Sequence, residues 1–253
     1  MSQKHELEQP SEQRMYKDLA YLWPIISNPA DYAEEASFWK TVLRDKLGPG
    51  RHQILELGVG GGNNLSHLTD EFDAVGVDLS EGMLEHCRRH IPGIEVHVGD
   101  MRTVRLGRTF DAVLIHDAID YMLNEDDLRA AFRTAREHLR PGGVFVTAPD
   151  FLKETFPDST AWHQNGTDGE IILTHVEYYW DPDPNDTTAE CYMTLHIRKG
   201  SELRVEHDRH VFGLFPRQTW SDLIAEAGFK VEKINYPVHE DNRQAFLFVG
   251  VKP

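Results

Sequence analysis

Three glycines at alternate positions, Gly58, Gly60 and Gly62, directly follow a short apolar segment that ends at Leu57. Because glycine has no Cβ, the backbone can turn sharply there and a ligand can approach amides that a side chain would block. Asp78 ends the next apolar segment, where a carboxylate can accept hydrogen bonds from both hydroxyls of a ribose. Together these residues indicate a site for a ligand that contains adenosine.

Glu56 lies just before the glycine loop and restricts the ligand further. An anion at that place repels a pyrophosphate and attracts a cationic amine. The nicotinamide-dinucleotide fingerprint, G-x-G-x-x-G, needs a third glycine three positions after the second, and the residue at that position after Gly60 is Asn63. A ligand with an ammonium group therefore fits better than a dinucleotide.

Alternating strand and helix patterns position these residues. Apolar runs predict strands at 53–57, 74–77, 95–98, 112–115 and 144–147, and helical spacing predicts helices at 63–68, 81–90 and 126–139. Two helices interrupted by Pro24 and Pro29 are predicted within 11–47, and a helix at 217–227 precedes strands at 230–236 and 245–251, joined by a loop at 237–243. This alternation implies an α/β fold with a parallel, doubly wound sheet.

The region between the fifth strand and the last helix has a different pattern. Segments 170–180, 188–198 and 202–212 are rich in β-branched and aromatic residues and predict an inserted three-stranded antiparallel meander. In the second segment Cys191, Met193 and Leu195 alternate with Tyr192 and Thr194. We therefore expect one covered face and one face that meets solvent or a partner.

The motifs as a set resemble those of class I S-adenosylmethionine (SAM)-dependent methyltransferases. They are Glu56-x-Gly58-x-Gly60-x-Gly62, Asp78, Gly99-Asp100-Met101, Phe110-Asp111-Ala112-Val113 and Leu139-Arg140-Pro141-Gly142-Gly143. The resemblance covers about residues 53–148 and the closing hairpin, and is strongest to small-molecule members such as the nucleotide-sugar N-methyltransferases. It implies a Rossmann-like, mostly parallel seven-stranded sheet whose last strand is antiparallel, with SAM lying over the strand ends.

The resemblance also implies which residues bind SAM. The glycine loop and Glu56 would lie near its amino acid moiety, and Asp78 on its ribose. The other implied contacts are Leu79 and Met83 beside the adenine, Asp100 and Met101 at the adenine edge, His116 near the sulfonium, and Tyr16 and Tyr32 at the methionine end through their hydroxyls. An acidic site with glycine amides suits SAM, which carries a sulfonium, an ammonium and a carboxylate.

Methyl transfer from a sulfonium is an in-line displacement, so the protein contributes mainly alignment and exclusion of water. An ammonium or hydroxyl acceptor must still lose a proton, and the candidate catalytic residues are Tyr121, His116 and Asp150. Further candidates are Asp117, Asp120, His175 and His210. In the nucleotide-sugar N-methyltransferases the loop after the fourth strand supplies a histidine, and Tyr121 takes that place here.

The predicted function is transfer of a methyl group from SAM to a nitrogen or oxygen of a small molecule. Two alternatives stay open: a protein that binds the cofactor without chemistry, and an NAD-dependent oxidoreductase. No metal is predicted, although His116, Asp117 and Asp120 could hold a divalent cation as in catechol-type O-methyltransferases. The implied organisation is an N-terminal helical lid (1–50), a cofactor-binding core (51–150), the β insertion (151–215) and a final helix with a hairpin (216–253).

Composition excludes several classes of partner. The 253 residues include 26 Lys and Arg against 42 Asp and Glu, a formal net charge of −16 that repels nucleic-acid phosphates and anionic lipids. Two cysteines are too few for a disulfide framework, and the polar start MSQKHELEQP does not resemble a secretory signal. We expect a soluble, cytoplasmic protein with a small-molecule acceptor and no nucleic-acid or membrane partner, and the β insertion suggests a homodimer.

Overall fold

The structure, a computed structural model, describes residues 13–157, 159–236 and 245–253. Within those residues it has eleven strands. They are β1 (His52–Leu57), β2 (Phe72–Asp78), β3 (Glu95–Val98), β4 (Phe110–Ile115), β5 (Leu139–Thr147), β6 (Ser159–Thr167), β7 (Ile171–Trp180), β8 (Thr188–Lys199), β9 (Glu202–Gly213), β10 (Lys230–Tyr236) and β11 (Ala245–Val251). The loop predicted at 237–243 lies outside the described residues.

Seven of these strands form a central sheet in the order β10-β11-β5-β4-β1-β2-β3. Neighbouring strands run parallel except β11, which is antiparallel to both β10 and β5. The predicted doubly wound, mostly parallel seven-stranded sheet is therefore confirmed, including its antiparallel last strand. The strand order reverses between β1 and β4, and ligands of such sheets bind at the carboxyl ends of the strands beside this reversal.

Helices cover both faces of the central sheet. They are α1 (Trp23–Ile26), α2 (Ala33–Leu47), α3 (Asn63–Ser66), α4 (Glu81–His90), α5 (Glu125–Glu137) and α6 (Arg217–Glu226), with 3₁₀ turns at Arg14–Tyr16, Ala20–Leu22, Pro29–Tyr32 and Asp117–Tyr121. Alternate residues of β1 enter two separate cores: Leu55 packs with residues of α5 and α6, and Ile54 packs with residues of α2. Burial on both faces explains why the strand sequences are nearly continuous apolar runs. No helix among the described residues is long and apolar enough to span a membrane.

The N-terminal segment differs from the two predicted helices. The second helix exists as α2, but residues 13–32 form only short turns and the four-residue α1. Pro24 and Pro29 each stand at a helix start, because proline lacks the amide that a continuing helix needs. Tertiary packing decides the rest: Met15 and Leu19 are buried in a core shared with Leu195 of β8.

The insertion is a four-stranded antiparallel sheet in the order β6-β7-β8-β9, so the predicted three-stranded meander was one strand short. The missing strand is β6, whose sequence STAWHQNGT is largely polar and whose side chains are mostly exposed. As an edge strand it is held by main-chain bonds to β7 alone and needs no apolar alternation. The alternation predicted for β8 is confirmed, since Cys191, Met193 and Leu195 are buried.

Candidate active site

The glycine loop after β1 adopts the left-handed backbone that its sequence predicts. Gly58, Gly60 and Gly62 have φ of 79°, 52° and 79°. A Cβ on Gly58 would collide with Ala118, which lies in the turn after β4, whereas a Cβ on Gly60 would meet only Met83 Cε, at 3.6 Å. Gly58 thus packs the loop against the β4 end, and Gly60 leaves an open cradle that any side chain would begin to fill.

Asp78, at the end of β2, holds this loop in place. The Gly60 amide donates to its Oδ2 at 2.8 Å and the Ser80 amide donates to its Oδ1 at 2.8 Å. Burial is the main reason that its pKa is raised. A carboxylate oxygen accepts more than one hydrogen bond, so both oxygens keep capacity for a ligand hydroxyl. The next residue, Leu79, is 68% exposed and offers an apolar surface beside the carboxylate.

Glu56 is the most unusual carboxyl group of the site. It is 2% exposed, and its Oε2 has no hydrogen-bond partner among the described residues. Burial raises its pKa to about 8, although the neighbouring His116 charge acts in the opposite direction. A buried polar atom without a partner requires an explanation, and the ammonium group of SAM would supply the missing donor. Together with the Gly60 cradle, this carboxyl makes the site fit SAM.

His116 follows β4 and is held between two carboxylates. Its Nε2 lies 3.2 Å from Glu35 Oε2 and its Nδ1 lies 3.2 Å from Asp117 Oδ1. Burial lowers its pKa, but the two carboxylates outweigh burial and place it well above the usual value. Glu35, on α2, is itself oriented by the Tyr236 hydroxyl at 3.0 Å. An imidazolium that donates from both nitrogens cannot accept a proton, so this geometry disfavours His116 as a base.

Two tyrosines meet where the central sheet approaches the second sheet. The hydroxyls of Tyr16 and Tyr121 lie 2.9 Å apart, and the Tyr121 hydroxyl lies 2.7 Å from His210 Nδ1. His210 Nε2 lies 2.9 Å from Asp208 Oδ2. Tyr16 also accepts a hydrogen bond at its backbone oxygen from the Ser80 hydroxyl at 2.6 Å, which connects this cluster to the turn beside Asp78.

Other predicted residues are present with partners of their own. The Tyr32 hydroxyl lies 2.9 Å from Ser27 Oγ, and burial raises its pKa to about 12. The Asp100 carboxylate is paired with Arg102 at 2.6 Å, and that guanidinium holds the pKa of Asp100 below its usual value. Its neighbour in sequence, Met101, is buried against the glycine loop.

The strand ends on the far side of the site carry two aspartates. Asp150 follows β5, and its amide donates to Asp120 Oδ2 at 2.9 Å. Asp120 is buried, which together with the Asp150 charge raises its pKa well above the usual value. Across residues 13–157, 159–236 and 245–253, no three His, Cys, Asp or Glu side chains are grouped to hold a metal ion.

Sequence reasoning missed two members of this arrangement, Glu35 and Asp208. Glu35 lies in the first turn of α2, far from His116 in the sequence, and no local pattern connects them. The sequence did contain a signal for Asp208, because Asp208 and His210 are two residues apart in a strand and therefore point to the same face of β9. A charged pair on the covered face of a strand indicates a functional or paired site.

Comparisons with known proteins agree with this geometry. A family model described as a methyltransferase domain matches residues 54–143. Over 222 residues the chain is 35% identical to a dTDP-3-amino-3,4,6-trideoxy-alpha-D-glucopyranose N,N-dimethyltransferase of Streptomyces venezuelae, covering 85% of this chain and 89% of the relative. It is 30% identical over 221 residues to a dTDP-3-amino-3,6-dideoxy-alpha-D-glucopyranose N,N-dimethyltransferase of Streptomyces fradiae, covering 85% of each.

Solved structures give the same result. Streptomyces venezuelae DesVI superimposes with a TM-score of 0.80 at 30% identity, covering 97% of this chain and 100% of that chain. The sugar N-methyltransferase KedS8 of Streptoalloteichus sp gives 0.80 at 28% identity, covering 100% and 97%. SAM-bound CalS10, an amino pentose methyltransferase from Micromonospora echinaspora, gives 0.75 at 25%, covering 88% and 92%.

These similarities confirm the predicted enzyme class, the cofactor and the small-molecule acceptor, and they favour nitrogen as the atom methylated. The chain therefore belongs to the class I SAM-dependent methyltransferases, of the nucleotide-sugar N-methyltransferase type.

Proposed function

We propose that this enzyme methylates the amino group of a nucleotide-linked amino sugar. The observation that carries the proposal is the pair of hydrogen-bonded phenols, Tyr16 and Tyr121, at the junction of the two sheets. Both side chains are half-buried, and each hydroxyl oxygen can accept a hydrogen bond from an N–H group of an acceptor amine. Relatives that cover most of this chain are named for dTDP-amino sugars, which supports this acceptor class.

The cofactor would lie across the carboxyl ends of β1, β2 and β4. When bound, SAM supplies a methyl group that its sulfonium activates for transfer. We assign Glu56 to the ammonium group of SAM and Asp78 to its ribose hydroxyls. The open space at Gly60 is assigned to the adjoining part of the amino acid moiety. The assigned adenine contacts are Leu79, Met83 and Met101, with Asp100 at the adenine edge, and the methionine end is assigned to Gly58, Gly62, Tyr16, Tyr32 and His116.

The charge of the site supports a cationic ligand. Asp78 and Asp117 both act electrostatically on Glu56, and both raise the pKa of Tyr16 in addition to the larger effect of burial. His116 balances only part of this negative charge. An excess of carboxylates in a partly buried site attracts a sulfonium and an ammonium more strongly than it would in water.

For the chemical step, we assign to the protein as a whole the alignment of the acceptor with the methyl group of SAM. Tyr121 is assigned the contact with the acceptor. His116 is assigned an electrostatic role, because both of its nitrogens face carboxylates. Asp150, at the end of β5, is assigned to acceptor binding, since its backbone is fixed by Asp120 on the acceptor side. Phe151 and Tyr179, with ring centroids 5.3 Å apart, would form an apolar wall there.

The outer face of the second sheet supports a homodimer, and we propose that two copies meet there. Ile172, Tyr178 and Trp180 are exposed on the face opposite the covered one, and exposed apolar groups of this kind mark interaction surfaces. Sedimentation of the wild-type protein should give a dimer that Tyr178→Arg converts to a monomer, and a monomeric wild-type protein would contradict this proposed interface.

Both cysteines, Cys87 and Cys191, are free thiols, which supports a reducing cytoplasm.

The acceptor class is tested with dTDP-3-amino-3,4,6-trideoxy-alpha-D-glucopyranose and SAM, with the products weighed by mass spectrometry. We expect products heavier by one and by two methyl groups. The control acceptor carries a hydroxyl in place of the amine, and should not react. Calorimetric titration with SAM, S-adenosylhomocysteine and NAD in parallel checks the cofactor. Binding of SAM without methylation of any nucleotide-linked amino sugar would refute the acceptor class while leaving the cofactor assignment intact.

A further inference from the structure

We propose that Asp208 and His210 of β9 form the buried end of a directed proton path, which takes the proton of the acceptor ammonium through Tyr121. The inference rests on the proposed amine acceptor and adds to it the group that receives the proton. His210 acts through Tyr121 and is therefore a positioning residue as well as the final proton acceptor.

The path runs from the exposed edge of the site into the second sheet. Tyr16 and Tyr121 are half-buried, whereas His210 is 3% exposed and Asp208 is fully buried. The successive separations are 2.9 Å between the phenols, 2.7 Å to His210 Nδ1 and 2.9 Å from Nε2 to Asp208 Oδ2. All three lie within hydrogen-bond range, so the four side chains form one continuous chain.

The Asp208 carboxylate fixes the direction of these hydrogen bonds. Burial raises its pKa, but the hydrogen bond from His210, the charge that His210 can carry and hydrogen bonds from backbone amides outweigh burial, and the net pKa is lowered. Its Oδ2 also accepts the Met15 amide at 2.7 Å. An ionised carboxylate only accepts, so His210 donates to it from Nε2, and in its neutral form His210 carries its lone pair on Nδ1.

The phenols then have only one consistent orientation. Because Nδ1 of neutral His210 accepts, the Tyr121 hydroxyl must donate to it. Tyr121 can in turn accept from Tyr16, and a hydroxyl oxygen has a second lone pair for the N–H of a bound acceptor. The fixed tautomer of His210 therefore turns Tyr121 into an acceptor toward the cleft.

A phenol cannot perform this step alone. Burial, with the nearby Tyr16, places the pKa of Tyr121 well above its usual value, so a free phenolate is costly at neutral pH. In the relay, a proton leaves the acceptor nitrogen for Tyr121 Oη while the Tyr121 proton passes to His210 Nδ1. The nitrogen keeps its electron pair for the new N–C bond, and the product imidazolium pairs with Asp208.

The groups around His210 suit a positive charge that appears during turnover. Tyr121 faces it from the turn after β4 and Tyr16 from the N-terminal segment. Cys191 lies opposite it on β8, and Glu177 of β7 interacts with it electrostatically. A second buried histidine of the same covered face, His175, provides a contrast. Its Nε2 lies 3.6 Å from Glu177, beyond hydrogen-bond distance, and burial lowers its pKa to about 4.

The kinetic test uses His210→Asn, whose amide oxygen can still accept from Tyr121 but cannot take up a proton. On the dTDP-amino sugar named above, kcat at about pH 7 should fall by about 10² or more, in the range of general acid–base catalysis. The loss should shrink toward wild-type rates near about pH 9.5, where a typical amine with a pKa of about 8 is already neutral. Tyr121→Phe should show the same pH dependence, and His207→Asn, on the exposed face of β9, is the control.

A purely structural role for His210 predicts a different result. The ratio of wild-type to His210→Asn rates would then be the same at every pH, and that outcome would overturn the relay. If His210→Asn does not fold, the comparison of Tyr121→Phe with Tyr21→Phe, an exposed tyrosine of the Ala20–Leu22 turn, shows whether the loss of rate depends on pH as the relay requires.

A second measurement does not need an acceptor. Nitrogen-15 NMR of the histidine rings, assigned by comparison with His210→Asn, should find neutral His210 protonated on Nε2, and Asp208→Asn should alter this signal. A proton on Nδ1 would refute the directed path. If the amino sugar is not methylated but the Nε2 tautomer is found, the acceptor assignment has failed and the path has not.

Discussion

Replacing Glu56 by glutamine should stabilise the ligand-free enzyme, and only at neutral and alkaline pH. The pKa of Glu56 rises from 4.5 to about 8 because the group is buried. Between these values the folded state binds more protons than the unfolded state, so folding stability falls as pH rises. Each pH unit corresponds to about 1.4 kcal/mol, so ionised Glu56 costs on the order of 3 to 5 kcal/mol above about pH 8.

The free energy of unfolding of Glu56→Gln should therefore match that of wild type below about pH 4.5 and exceed it by a few kcal/mol above about pH 8. Urea unfolding across this range measures the difference, with the exposed carboxyl of Glu34 on α2, changed to glutamine, as the matched control. Saturating SAM should reduce the gap, because an ammonium group would stabilise the ionised carboxylate only in wild type. Equal pH profiles for wild type and Glu56→Gln would refute the reasoning.

Three further changes test other parts of the site. Asp78→Ala should weaken SAM binding by about 1 to 3 kcal/mol, the cost of losing buried hydrogen bonds; an unchanged calorimetric affinity would remove its ribose role. Tyr121→Phe should leave SAM affinity near wild type and slow turnover, and full activity at every pH would remove Tyr121 from the mechanism. The pKa of His116 is raised in the folded state, so protonated His116 stabilises the fold at pH values below its ordinary pKa. This stabilisation is lost as pH rises through the folded-state pKa, and Glu35→Gln should move the loss to lower pH. Thermal unfolding against pH measures that shift, and an unmoved profile would contradict the ion pair.

Much of the central domain follows from local sequence. The helix at Glu81–His90 has the predicted bounds, because Ser80 caps its first turn by accepting the Met83 amide at 3.2 Å. Strands β3, β10 and β11 also have their predicted bounds. The helix predicted at 126–139 ends at Glu137, because Leu139 already pairs with Phe110 of β4, and residues 140–143 lie in the register shift between that pair and the next one, Ala112 with Val144. Parallel sheets bury both faces, so their strands can be recognised in the sequence as apolar runs.

The sequence by itself determined the glycine loop and Asp78, because these lie within one strand–loop–helix–strand unit whose geometry is local. Only the tertiary structure decided the surroundings of His116, which Glu35 reaches from α2, and of Tyr121, which His210 reaches from β9. It also decided that the edge strand β6 exists, since main-chain pairing with β7 requires no particular side chains. Contacts between residues far apart in the chain depend on how the sheets and helices pack, and no short-range pattern specifies that packing.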